Sequence, residues 1–79
     1  MPKPPPAEPQ PELGLVIAEL REAAAMSIAE LAEAASLKTA ELEAIERGDA
    51  DPSWGGVRDI AATLGVSVAE LARRCEALR

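Results

Sequence analysis

The 79-residue sequence has no histidine, phenylalanine or tyrosine, one cysteine and one tryptophan. Without histidine, and with Cys75 standing alone, the chain lacks the usual donors for a zinc site and cannot close an internal disulfide. No base stands near Cys75 or any serine, and no Gly-rich phosphate loop is present, so an enzyme is not expected. Neither a cofactor nor a metal is expected. Long apolar runs are missing too: nothing approaches the roughly 18 residues that span a bilayer. The first residues lack the apolar stretch of a signal peptide, and a cytoplasmic protein is the expectation. β-branched residues are sparse and never alternate as in a strand, which argues against a sheet.

Positive charge is also scarce. Eight Lys and Arg stand against fourteen Asp and Glu, a net charge of −6. Affinity for phosphate backbones rests on basic side chains, so any nucleic-acid contact has to come from a local basic patch. What the chain does have is aliphatic: 48% of it is hydrophobic. Alanine, the best helix former, recurs throughout and lets short helices pack closely. The length allows one small domain.

Six of the seven prolines lie in "MPKPPPAEPQPE". Proline fixes φ and removes the amide donor, so residues 1–12 are expected to be a disordered, polyproline-like tail. Pro2 to Pro5 and Pro6 to Pro9 match the loose PxxP pattern of aromatic-groove ligands, a match that proline density alone produces. Residues 13–79 then form the domain. A helical period begins at Leu13, with Ile17, Leu20 and Ala24 on one face. "SIAE" is a capping box of Ser27 and Glu30 that opens a short second helix carrying Leu31, Ala32 and Ala35. "ASL" makes a tight turn. A third helix points Leu42 and Ile45 inward and stops at Gly48.

After the loop "DADPS", Ser53 caps a fourth helix with Val57, Ile60, Ala61 and Leu64, ending at Gly65. "SVAE" repeats the capping box with Ser67 and Glu70 and opens a fifth. Leu71, Cys75 and Leu78 make a short apolar stripe along that last helix. "DADPSWGGVRDI" has acids at the first and third positions of a calcium loop. It fails at the sixth, Trp54 in place of glycine, and at the twelfth, Ile60 in place of glutamate. Trp54 is expected to cap the hydrophobic edge where the fourth helix begins, with a partner contact as the alternative.

"LG" at Leu13-Gly14, "ELRE" around Arg21, "MSIAELAEAASL" from Met26, "IERGDADPS" from Ile45 and "IAATLGVSVAEL" from Ile60 follow in a distinctive order. Together they resemble the lambda-repressor-like helix-turn-helix family, the Cro/CI or Xre type, over roughly Leu13 to Leu71. The resemblance implies an all-α, compact five-helix domain in which the second and third helices form the DNA-binding pair. It also implies an ion pair between Arg21 and Glu46. In this family the N-terminal side chains of the pair's second helix reach base edges in the major groove. The corresponding residues are Thr39, Ala40, Glu41, Glu43 and Ala44. Lys38 and Arg47, with Ser27 and Ile28, fall toward the phosphates.

That set departs from the family's habit. An acid can accept only from the cytosine amino group, and the alanines offer apolar contact alone. A Gln commonly opens the pair's first helix, where this chain has Ile28. The loop after the reading helix is often basic, where this chain has Asp49 and Asp51. Ser36 replaces the usual turn glycine, which is tolerable outside the left-handed region. Leu15 and Val16 stand where polar residues are usual, and with Ile28 could form a partner patch. The stripe Leu71, Cys75 and Leu78 either closes the core or builds a two-fold dimer.

Two functions follow from different classes. One is a small DNA-binding transcriptional regulator, with double-stranded DNA as its partner, acting as a homodimer. The other is a protein-interaction module that uses the acidic face or the Leu15, Val16 and Ile28 surface, with weak or no DNA binding.

Overall fold

The computed structural model describes residues 11–78. Five helices follow in order: α1 (Pro11–Ala23), α2 (Ile28–Ala34), α3 (Thr39–Arg47), α4 (Trp54–Leu64) and α5 (Val68–Ala77). The described residues contain no strand. α1 starts at Pro11, two residues before the sequence period sets in. Proline is at home in a first turn, where its missing N–H would have no partner anyway. Of the tail expected over residues 1–12, Pro11 and Glu12 are instead helical, and the rest, residues 1–10 with the PxxP matches, lies outside those described.

Serine caps fix the starts of α2, α4 and α5. The Ser27 hydroxyl accepts the Glu30 N–H at 3.1 Å, and the Glu30 carboxylate accepts the Ser27 N–H at 2.8 Å. That backbone donor holds the Glu30 carboxyl below its ordinary range. Ser53 accepts from the Gly56 N–H at 3.1 Å and Ser67 from the Glu70 N–H at 3.0 Å. The expected second capping box is only half made. Glu70 turns its carboxylate to Arg73 at 2.8 Å and Arg74 at 3.2 Å, two cations one helical turn away. A cation outcompetes a neutral backbone amide for a carboxylate. Arg73 first, then Arg74, holds the Glu70 carboxyl low. Gly48 and Gly65 end α3 and α4 in the left-handed conformation, at φ 82° and 76°.

α1 packs on both α3 and α5, while α2 packs on α3 and α4. The crossing of α1 on α3 depends on Gly14. A Cβ there would run into the Ile45 carbonyl oxygen and stand 2.8 Å from that of Glu46. One core cluster gathers Ile17, Leu31, Ala32, Ala35, Leu42, Ile45 and Ile60. A second gathers Val16, Ala61, Leu71 and Cys75. Fully burying such an aliphatic side chain contributes about 1.5–3 kcal/mol.

The two clusters overturn several sequence expectations. Val16 is only 2% exposed, because α1 is covered on two sides and needs two apolar stripes. Ile28 is half-buried against the first cluster. Of the supposed partner patch only Leu15 is exposed. Leu71 and Cys75 are buried, so the α5 stripe closes the core of this chain and leaves only Leu78 outside. Ala24 lies past the end of α1 and is exposed. Trp54 does not cap the hydrophobic edge: it is 66% exposed. The buried residue at the start of α4 is Gly56, where an added Cβ would stand 3.3 Å from Pro52 Cβ.

Candidate nucleic-acid interface

The turn from α2 to α3 is closed by the Leu37 N–H, which donates to the Ala32 carbonyl at 2.8 Å. Leu37 is packed against the first core cluster. Ser36 lies in the left-handed region at φ 59°, contrary to the condition on which a serine is comfortable there. α3 then starts after Lys38, whose backbone N–H donates to the Glu41 carboxylate at 3.2 Å.

On the inner side of α3, Leu42 and Ile45 are buried. Glu46 meets Arg21 from α1 in a two-point pair: Arg21 Nε donates to Glu46 Oε2 at 2.8 Å and Nη2 to Oε1 at 3.0 Å. The remaining Nη1 donates to the Met26 carbonyl at 2.9 Å. The side chains are 16% and 10% exposed. Bonding to Glu46 holds the Arg21 guanidinium above its ordinary pKa. One guanidinium therefore ties α1, α3 and the entry to α2 together, and it takes Glu46 out of the outward charge.

The outward side carries Thr39, Ala40, Glu41 and Glu43, all exposed. Ala44 is half-buried and lines a groove. The residues assigned to phosphates are dispersed in their engagements. The Ser27 hydroxyl oxygen accepts the Glu30 N–H, and Ile28 lies against the core. Arg47 donates to Asp49 at 3.0 Å across the open surface. Lys38 and Arg58 are exposed and, among the described residues, hold no ion pair.

Sequence reasoning did not reveal the groove. It measures about 290 Å³ and runs between α3 and the loop that follows, lined by Leu37, Glu41, Ala44, Ile45, Ala50, Asp51, Pro52 and Ser53. The available signal was the alternation Ala50, Asp51, Pro52, which sets apolar groups on either side of an acid. Trp54 follows directly on the groove-lining Ser53. No group of acidic or cysteine side chains among the described residues is placed to hold a metal ion. No helix among them is long and apolar enough to cross a membrane.

Residues 12–74 match the family model described as a helix-turn-helix domain. Among solved structures, the clp gene regulator ClgR from Corynebacterium glutamicum is similar at TM-score 0.82 and 27% identity, over 95% of this chain and 96% of that one. The restriction-modification controller protein C.AhdI from Aeromonas hydrophila is similar at TM-score 0.75 and 27% identity, over 78% and 94% of the two chains. A chain of the SinR–SinI protein complex reaches TM-score 0.71 and 35% identity, over 75% of this chain and 58% of that one. No curated protein matches by sequence.

Proposed function

Because the chain belongs to the lambda-repressor-like (Xre) helix-turn-helix family, we propose that it acts as a small DNA-binding transcriptional regulator of the Cro/CI type. The observation that carries this reading is the α2–α3 pair. Arg21 and Glu46 lock α3 against the body of the domain, and its first turns stand free. A helix presented in this way enters the major groove with its N-terminal side chains against base edges. Thr39 offers a methyl and a hydroxyl, Ala40 and Ala44 a methyl each, and Glu43 an acceptor for a cytosine amino group. Glu41 serves bases only when it leaves the Lys38 amide. Lys38 faces phosphates, and Arg47 joins it by exchanging Asp49 for a phosphate oxygen.

Two copies on a palindromic operator would double this small contact set. Leu78 is the apolar residue that α5 leaves available for such a pairing. The reading is that of a cytoplasmic DNA-binding protein and not of an enzyme.

A second reading is favoured by the exposed acids Glu41, Glu43, Asp49 and Asp51 around the α3 face. It makes the same surface a site for a basic protein partner. Fluorescence anisotropy of a labelled random-sequence duplex pool, titrated at low and then physiological salt, separates the two. Binding that weakens steeply with salt supports DNA reading, since counterion release sets that slope. Absence of binding at low salt, where attraction is greatest, overturns it and leaves the protein partner.

A further inference from the structure

The groove between α3 and its following loop has an apolar lining of Leu37, Ala44, Ile45, Ala50 and Pro52. Glu41 and Asp51 line it too and, among the described residues, no basic side chain does. The Glu41 carboxylate accepts the Lys38 N–H at 3.2 Å, and a carboxylate has further lone pairs for a cation. DNA suits such a place badly. Both acids repel a phosphate oxygen, and a base edge offers the apolar lining little beyond a thymine methyl. The groove fits an occupant of another kind.

Size and chemistry narrow that kind. At about 290 Å³ the groove lies just below the roughly 300–1,000 Å³ of small-molecule pockets, so it suits the anchoring side chains of a larger partner. An added strand needs a sheet edge, and the described residues contain no strand. A polyproline ligand needs aromatic walls, and the groove has none. A phosphorylated or acidic motif needs arginines, where this groove has acids. A helix needs an apolar trough for anchors at i, i+3 and i+4, and α3 and the loop supply its two sides. The acids then call for Lys or Arg beside those anchors. A second copy of this chain fits poorly. Its exposed Leu15 has Glu12 and Glu19 as neighbours on the same helix face, its Leu78 is a cap past the end of α5, and its net charge of −6 repels a like chain.

We propose that this groove docks a basic amphipathic helix of a partner protein, with aliphatic anchors on Leu37, Ala44, Ile45 and Pro52 and a Lys or Arg against Glu41 and Asp51. Glu41 and Ala44 also belong to the base-reading set, so the docked helix and a DNA major groove exclude one another. The docking deepens the second reading above and rests on it, since it names the basic partner and its seat; the exclusion of DNA rests on the regulator reading.

The probe is a labelled synthetic peptide of leucine and lysine, about 14 residues or four helical turns long, with its leucines at helical spacing. A control peptide of the same composition alternates leucine with lysine and so has no apolar helix face. Anisotropy measures both on the full chain and on three variants. Ala44→Leu fills the groove at unchanged charge with a good helix former, and is expected to weaken the helical peptide about tenfold, as the loss of an anchor site does. Glu41→Gln keeps an acceptor for the Lys38 N–H and is expected to weaken it about two- to fivefold. Glu76→Gln makes the same charge change on the exposed side of α5 and is expected to leave it unchanged. Equal affinity of the wild-type and Ala44→Leu chains overturns the groove docking. So does equal binding of the two peptides, which leaves a basic partner spread over the acids, as in the second reading alone. Self-association that Ala44→Leu abolishes would seat a second copy in the groove and overturn the partner helix. Groove-dependent binding by a chain that ignores DNA upholds the docking and overturns the regulator reading.

Discussion

On its inner face α3 presents Leu42, Ile45 and Glu46, and each of these has a fixed place in the domain. On its outer face it presents Thr39, Ala40, Glu41 and Glu43, which are exposed. One helix thus carries two kinds of sequence. The inner residues are determined by the fold, since a cavity or an unpaired charge there costs several kcal/mol. The outer residues are free of that constraint, so their identity speaks of what the domain meets. The contrast teaches that a shared fold guarantees the presentation of α3 and leaves its reading set open.

The inner face is best broken at Gly14. Ala at this position would place a methyl inside the Ile45 carbonyl and against that of Glu46, both of which are backbone and unable to yield. Gly14→Ala is expected to lift α1 from α3 and to destabilise by about 3 kcal/mol or more. In a domain of marginal stability this brings the chain near unfolding. Chemical denaturation followed by circular dichroism measures it; a loss below about 1 kcal/mol would mean that the crossing is looser than the structure has it.

Next comes the Arg21–Glu46 pair. Arg21→Met leaves the Glu46 carboxylate almost buried without a counter-charge and the Met26 carbonyl without its donor. The expected cost is about 3 kcal/mol, as for other pairs that lose one partner away from solvent. Adding Glu46→Leu should return most of that loss, because two apolar side chains of similar volume replace the pair. A double variant as unstable as the single one would show that the ion pair itself, not the orphaned charge, supports the α1–α3 contact.

These inner features were largely legible in the sequence. The apolar period set the helices, the serines and Gly48 and Gly65 set most of their ends, and the family resemblance joined Arg21 to Glu46. The failures have a common cause. Val16 and Ile28 depend on which sides of a helix are covered, and a linear period reveals one covered side but not two; the same ambiguity left the part of Leu71 and Cys75 open between core and dimer. Trp54 was misplaced because size was read as burial, whereas Gly56 already occupies the tight position at that helix start. The groove brings together residues from Leu37 to Ser53, and the short alternation Ala50, Asp51, Pro52 marks only its loop side, not its meeting with α3.

The outer face is tested through charge. Asp49→Lys with Asp51→Lys removes two repulsions from the loop after α3 and also frees Arg47, which is held by Asp49. Affinity for a random duplex is expected to rise by about tenfold or more at about 0.1 M salt, and the slope of log affinity against log salt should steepen by about 0.9 for each further phosphate neutralised. Anisotropy titrations at several salt concentrations measure both. An unchanged slope would mean that the loop stands away from the phosphates and that the acids do not limit DNA binding.

The smallest effect comes from the turn that separates the two faces, and here the substitution should stabilise. Ser36 is held at φ 59°, in a region that costs an L-residue roughly 1–2 kcal/mol. Ser36→Gly relieves that cost, while glycine's greater freedom in the unfolded chain takes back about 0.5–1 kcal/mol. The net gain is expected to be about 0.5–1 kcal/mol, read as a shift in the denaturation midpoint. Ala29→Gly supplies the control. It lies exposed within α2, and there the change should lose about 1 kcal/mol. Opposite signs for the two glycines would locate the strain in the turn. A loss at both would mean that Ser36 contributes a stabilising contact larger than its backbone strain.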